Sequence, residues 1–458
     1  MLKSSSRNVI SALLILSMSL TALSSCKKGD GEFPELDYPE NETAMTTETS
    51  LTEEAPGLTE ISIASPYSAS TVDLLARLYY AKQNDLIPDG QTGGDISIDL
   101  LQDIDMPWII DARLTSSDGA GVSSLVQWDE EDRMPDLVLV EDISGAVDTG
   151  LIVPYDEYLG TNSLISGNSV YPESLLYSVR DGQTYGLPFY ETVMLLVGNR
   201  EYIPDSGILP FRSDTDEFED YLQDIDDQYG DEDIVVLAGG YELLPYLSSS
   251  FNGDTRTSYM FLDDMDLTTN LESSVDYIED LYDMGLSRDA DMSGSDPRIA
   301  RTACIWVTSS GSIDMWNDYY PDSLYYSMIP SASGESTGIP YATVYSLCLT
   351  DSCEDKEFAS DLAAFICFDA DAQMLLYRLE PQRGYLPCLN SSALWDIVCE
   401  DEVFGTEAML FEQMLPRAVY CPGSSTALCA SVDSYNMEYF ASYLDGEYPE
   451  YDTERLLP

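Results

Sequence analysis

The chain contains no histidine. That removes Ser-His-Asp and Cys-His nucleophile arrangements and every His-ligated zinc site, because each needs an imidazole. Positive charge is scarce: 20 Lys and Arg stand against 83 Asp and Glu, for a net charge of −63. Such a surface repels nucleic-acid phosphates and anionic membranes. It also disfavours anionic solutes such as phosphate or sulfate, except where a local Arg overrules the field. Neutral or cationic ligands fit better. Cys-x-x-Cys pairs are missing, so no structural zinc site is expected, and no other metal or cofactor. After residue 26 no apolar run is long enough to span a bilayer.

What is present begins with a leader. Lys3 and Arg7 precede an apolar stretch from Val9 to Leu23, closed by Leu23-Ser24-Ser25-Cys26. Basic, apolar and small residues in that order read as a secretory signal over 1–25. Cys26 after two small residues resembles the lipobox of bacterial lipoproteins, which implies a diacylglyceryl-modified Cys26 as the new N-terminus. Two acyl chains suffice for a stable anchor, each buried methylene contributing ~0.8 kcal/mol. Residues 26–60 are then the anchored Cys and an acidic, Thr- and Pro-containing tether, too poor in bulky apolar groups to offset ordering entropy.

About 400 residues remain, enough for two sizeable cores. Ile61 and Ile63 alternate as a strand, and 70–83 carries Val72, Leu75, Leu78 and Tyr79 at helical spacing. Ile96, Ile98 and Leu100 alternate as a second strand, and 105–127 reads as a helix. Leu137 to Val140 is a third strand, continuously apolar as buried parallel strands are. Strands alternating with helices predict an α/β layer, with ligand beyond the carboxyl ends of the strands.

Six segments in order carry a resemblance. PDLVLVEDISGAVDTGLIVPYDEYL (135–159) holds a Gly-Leu-x-x-Pro-x-Asp turn at Gly150, Leu151, Pro154 and Asp156. YGLPFYETVMLLVGNREYI (185–203), RTACIWVTSSGSI (301–313), YATVYSLCLT (341–350), the helix pair of 357–394 and FASYLDGEYPEYDTERLL (440–457) follow. Together they resemble family 1 of the bacterial extracellular solute-binding proteins, the receptors of ABC importers. The departures are Ser309-Ser310-Gly311 in place of a Gly-x-Trp, and Thr343-Val344-Tyr345 in place of a Gly-Gly-Trp. They remove two positions where the family often stacks an aromatic on its ligand.

The resemblance implies a periplasmic-binding-protein-like α/β fold of two discontinuous lobes, 61–187 plus 328–384 and 188–327 plus 385–458, with a hinge and an interlobe ligand cleft. It implies a binding protein and not an enzyme: a monomer held to the membrane through its lipid alone. Its partners would be a small solute, a carbohydrate or oligosaccharide first, and ABC permease subunits. At strand ends facing such a cleft stand Tyr67, Asp142, Tyr190, Glu191, Trp306, Ser309, Tyr345 and Tyr385, with Glu141, Ser310, Tyr341 and Arg383 beside them. Rings stack on sugar C–H faces and carboxylates accept from hydroxyls or ammonium groups. Peptide or polyamine ligands, a sensor on the same fold, and a secreted glycosidase stay open as alternatives.

Two further patterns are weaker. Asp289 to Ser295 looks like the start of an EF-hand loop, but Ala300 stands where the bidentate Glu belongs, so a polar surface loop is expected. Acid pairs such as Asp226-Asp227 are expected by chance among 83 acids, and read as solvated faces. Cys304, Cys348 and Cys367 fall in apolar segments and read as buried free thiols, whereas Cys421 and Cys429 can close a loop.

Overall fold

In the computed structural model the chain divides into two units, Met1–Gly57 and Leu58–Pro458. The structure describes 59–115, 119–141, 143–159, 170–230, 233–244, 246–247, 268–288, 296–332, 341–380, 385–400, 411–412, 415–420, 438–444 and positions 446 and 451. The leader, Cys26, nearly all of the tether, the 289–295 loop and Cys421 with Cys429 lie outside the described residues.

The first strand and helix form as their patterns dictate. In β1 (Thr59–Ser65) the alternating Ile61 and Ile63 are both buried. Helix α1 (Ala69–Gln83) opens at Ser68, whose side chain accepts from the Thr71 amide. A cap of this kind contributes about 1 kcal/mol. The buried stripe of α1 includes Val72, Leu75, Leu78 and Tyr79, at the spacing the sequence predicts.

The next segment departs from the sequence reading. The stretch expected as a second strand is helix α2 (Ile98–Gln102), because the Ser97 side chain accepts from the Leu100 amide and starts a turn there. Three apolar residues at period two are too few to separate strand from helix, and the cap decides. The helix expected over 105–127 is instead β2 (Trp108–Leu114) followed by α3 (Val122–Glu130). Trp108, Ile109 and Ile110 are aromatic or β-branched, types that suit a pleated surface, and β2 pairs in parallel with β1 from Thr59↔Trp108 to Ser65↔Leu114.

Strand β3 (Leu137–Val140) is buried at all four positions. Helix α4 (Ile143–Thr149) stops at Gly150, whose φ of +73° is a left-handed cap that glycine adopts without steric cost. Short strands β4 (Ile152–Val153), β5 (Val179–Arg180) and β6 (Gln183–Thr184) precede the 14-residue β7 (Gly186–Asn199). Helix α5 (Thr215–Tyr229) begins with a reciprocal capping box between Asp214 and Glu217. After it come β8 (Val235–Ala238), α6 (Thr268–Asp283), β9 (Ser287–Arg288), β10 (Ala303–Ser309), α7 (Ile313–Tyr319) and β11 (Leu324–Met328). The chain continues through β12 (Tyr341–Thr350), α8 (Lys356–Phe368), α9 (Ala370–Leu379), β13 (Leu386–Pro387) and β14 (Val419–Tyr420).

One mixed sheet runs β2-β1-β3-β12-β7-β10-β8-β9, with β11 and β13 also on β7 and β4 and β14 on β12. Strand β7 is its spine. The first part of β7 pairs antiparallel with β12 and, at Tyr190 and Glu191, with β13. Its second part pairs with β10 and β11. Side chains alternate across a strand, so Leu195 and Val197 enter the first core while Leu196 enters the second. The second core also holds Phe218, Leu222 and Ile225 of α5 and Ile278 and Leu281 of α6, packed with Leu237, Ile305 and Val307. A smaller third cluster joins Leu125, Val138, Val140, Ile143 and Cys348.

Candidate functional site

The site is built where β7 passes from one set of partners to the other. Tyr345 pairs with Tyr190 and Ser346 with Pro188, so Phe189 is an extra residue on β7, a bulge. A bulge bends its strand and re-aims the neighbouring side chains. Here it lets both Phe189 and Tyr190 meet Tyr67, which stands just past the carboxyl end of β1.

The rings form a continuous cluster. Tyr190 stacks on Tyr385 with centroids 4.1 Å apart and 26° between planes. Tyr345 lies 4.9 Å from Tyr190 and 5.8 Å from Tyr385, the latter edge-on at 62°. Tyr67 approaches Phe189 edge-on at 5.6 Å and Tyr190 at 6.3 Å, perpendicular. Offset-stacked and edge-to-face pairs contribute about 0.5–1.5 kcal/mol each beyond their burial. All four tyrosines are buried in this conformation.

The turn after β10 closes the cluster from the other half of the sheet. A Cβ built on Gly311 stands 3.2 Å from Thr192 Cγ2 and 3.4 Å from Tyr385 Cε1. Glycine is what permits that approach. Ser310, fully buried, accepts from the Val193 amide through Oγ at 3.0 Å, tying the turn to β7 one residue beyond the Ser309↔Met194 pair. Ser309 is half-buried and its Oγ accepts from the Gly311 amide at 3.3 Å.

Four of the residues expected in the cleft, Tyr67, Tyr190, Tyr345 and Tyr385, are thus brought together, with Ser309 and Ser310 on the adjoining turn. The remainder are elsewhere. Glu191 is fully buried, and its charge helps burial hold the Tyr171 hydroxyl and the Cys388 thiol above their ordinary pKa. Trp306 is also fully buried, between Trp316 at 5.2 Å and Tyr320 at 5.3 Å. Its indole N–H meets no acceptor among the described residues. Tyr341 donates its hydroxyl to the Tyr246 carbonyl at 2.6 Å, with the two rings 4.9 Å apart. Glu141 is half-buried at the end of β3, whereas Asp142 and Arg383 lie outside the described residues. Phe189, Thr192 and Gly311 were not singled out by sequence. The Ser-Ser-Gly run marked Gly311 only as a departure from a pattern.

A cavity of about 620 Å³ lies at the opposite end of the parallel strands, lined by Glu60, Ser62, Arg113, Asp136, Cys353 and Phe358 among others. Asp136 closes its wall by accepting from both the amide and the hydroxyl of Ser62, each at 2.7 Å. Burial and the Asp136 charge push the Cys353 thiol up to about 12. The thiols of Cys348 and Cys367 are raised by burial, so none of the three is poised as a nucleophile at neutral pH.

Neither family models nor curated proteins give a match to this chain. Solved structures do. The sugar-binding protein MalE from Xanthomonas citri is similar over 85% of this chain and 93% of its own, with a TM-score of 0.64 and 14% identity. The ABC substrate-binding protein Lmo0181 from Listeria monocytogenes, solved with cycloalternan, is similar over 86% and 95%, with a TM-score of 0.62 and 13% identity. An extracellular solute-binding protein of family 1 from Alicyclobacillus acidocaldarius gives 0.59 and 14% over 86% and 96%. At these identities the likeness establishes architecture, and the chain has the periplasmic-binding-protein-like α/β fold of these ABC solute-binding proteins.

Proposed function

We propose that this chain is an extracytoplasmic solute-binding lipoprotein of an ABC importer, a receptor that captures a carbohydrate or oligosaccharide and delivers it to a permease. The supporting observation is the tyrosine cluster. Rings on β7 and β12, just past β1 and just before β13 converge with the Gly311 turn where β7 passes from β12 and β13 to β10 and β11. Hinge motion about β7 and its neighbours separates the Gly311 turn from the rings. A sugar entering there meets aromatic faces for its C–H surfaces and the hydroxyls of Ser309 and the tyrosines for its own hydroxyls. Closure then desolvates these contacts together. Asp142, Glu191 and Trp306 complete the proposed contact set, with Cys26 as the lipidated residue. The solved proteins of this fold noted above include a sugar-binding protein and one solved with cycloalternan.

A second reading is favoured by charge. A net charge of −63 concentrates cations at the surface, which suits a polyamine or basic peptide. Titration calorimetry of the purified protein separates the two. Saturable heat with an oligosaccharide, weakened in Tyr385→Ala, supports the first; saturable heat only with polyamines or basic peptides, abolished by salt, replaces it with the second. Membrane retention lost in Cys26→Ser tests the anchor.

A further inference from the structure

Strand β2 ends the sheet, and among the described residues no strand pairs with its outer edge. Edge strands template pairing with another chain unless they are blunted by charge, proline or a cover. This one exposes Leu114 at 74% and Ile109 at 49%, and contains no proline. It has charge, but of both signs: Arg113 Nε donates to Asp111 at 2.9 Å, and Arg113 Nη1 donates to the Arg133 carbonyl. Arg133 in turn pairs with Glu131. In a chain of net charge −63 this edge strand therefore carries one balanced ion pair, Asp111–Arg113, where repulsion of an identical surface is weakest.

We propose that the outer edge of β2 pairs antiparallel with the same edge of a second copy of this chain, about a two-fold axis through Ala112. That register sets each Asp111 opposite the other copy's Arg113, giving two cross-strand ion pairs. It also sets Leu114 opposite Ile110. Trp108, Ile110 and Ala112 face the first core, and Leu114 shares their side of the strand by alternation, so its exposed side chain extends the same apolar layer. Moving the two-fold axis by one residue, to Asp111 or to Arg113, sets that charge opposite its own copy, so the Asp-Ala-Arg order selects the axis. An isologous strand pair of this kind closes with two-fold symmetry and uses up the β2 edge of both copies. A seven-residue contact between acidic proteins is a weak, concentration-dependent dimer, which departs from the monomer that the resemblance implies.

The axis makes one cross-link diagnostic. Residues directly opposite in an antiparallel pair have Cα atoms roughly 4.5–5.5 Å apart, within disulfide range. Full-length Ala112→Cys, oxidised with copper phenanthroline at rising concentration, is expected to give a covalent dimer well above the wild-type background. Ile109→Cys, whose copies lie far apart in this register, is expected to give none. By sedimentation velocity, Asp111→Arg and Arg113→Asp are each expected to abolish association and the double exchange to restore it, circular dichroism checking that each variant folds. A wild-type protein monomeric at all concentrations, equal cross-linking at 109 and 112, or dimers that persist in both single charge reversals would overturn the proposal.

Discussion

Tyr190 and Tyr385, almost two hundred positions apart in the chain, stack face to face at 4.1 Å where β13 pairs with β7. Tyr385 stands one residue before the two-residue β13, so the contact ties the entry of that strand to the spine of the sheet, beside the Gly311 turn. Removing the ring by Tyr385→Ala should cost about 3–5 kcal/mol of stability, as large-to-small changes at buried aromatics do. Tyr385→Phe keeps the stack and should cost about 1 kcal/mol or less. Urea unfolding checks both. In ligand titration Tyr385→Phe should retain most of the affinity, because the ring face is what a sugar would use.

Gly311 is the second point of leverage. Alanine there meets Thr192 and Tyr385 at 3.2 Å and 3.4 Å, a fit tight enough that the turn must give slightly. Gly311→Ala should leave the melting temperature within a few degrees of wild type, whereas Gly311→Val should force the turn away from the rings. Calorimetry should then show roughly tenfold or greater loss of ligand affinity for the valine variant, about 1.4 kcal/mol or more. Equal affinity in both variants would separate the turn from the site.

Ser310 replaces a strand carbonyl as acceptor for the Val193 amide, in a fully buried setting. Ser310→Ala strands that donor and should destabilise by about 1–3 kcal/mol. Ser310→Thr, which restores the hydroxyl, should recover part of the loss if the added methyl is accommodated. The urea midpoint of each variant reads the effect.

Cys353 supplies a pH test. Unfolded, its thiol ionises near 9.0; folded, burial and Asp136 hold the proton until about 12. Between those values only the unfolded state gains by losing the proton, so stability that is present below pH 9 falls as pH rises toward 12. The slope per group is roughly 1 kcal/mol per pH unit. The stability difference between wild type and Cys353→Ala should therefore narrow over this window. Parallel pH curves for the two proteins would contradict the shift.

The parts of this fold legible in sequence are those whose patterning agrees with their burial. β1, α1 and β3 each carry a pattern that matches their burial, and β7, β10 and β12 lie within the segments that carry the family resemblance. From Ile96 to Gln127 the sequence pattern and the structure exchange strand and helix, since Ser97 capping outweighs a three-residue alternation and the Trp108–Leu114 strand carries no strict alternation of its own. Site residues followed the same logic. Tyr67, Tyr190, Tyr345 and Tyr385 stand at strand ends or crossings, which position alone can suggest. The bulge at Phe189 and the close approach at Gly311 depend on register and on contacts between distant segments, which no local pattern encodes. Trp306, fully buried on β10 between Trp316 and Tyr320, likewise takes its neighbours from segments distant from its own strand's pattern.

The receptor reading is tested most directly by a thermal-shift panel on the purified protein with sugars, oligosaccharides, amino acids, peptides and polyamines, the supernatant analysed for turnover. A ligand that binds only the native state stabilises it by about 2.7 kcal/mol at a hundredfold excess over Kd. A raised melting temperature with a saccharide that is recovered unchanged is the expected result. A shift confined to cationic compounds, no shift with any saccharide, or chemical consumption of the ligand would contradict it.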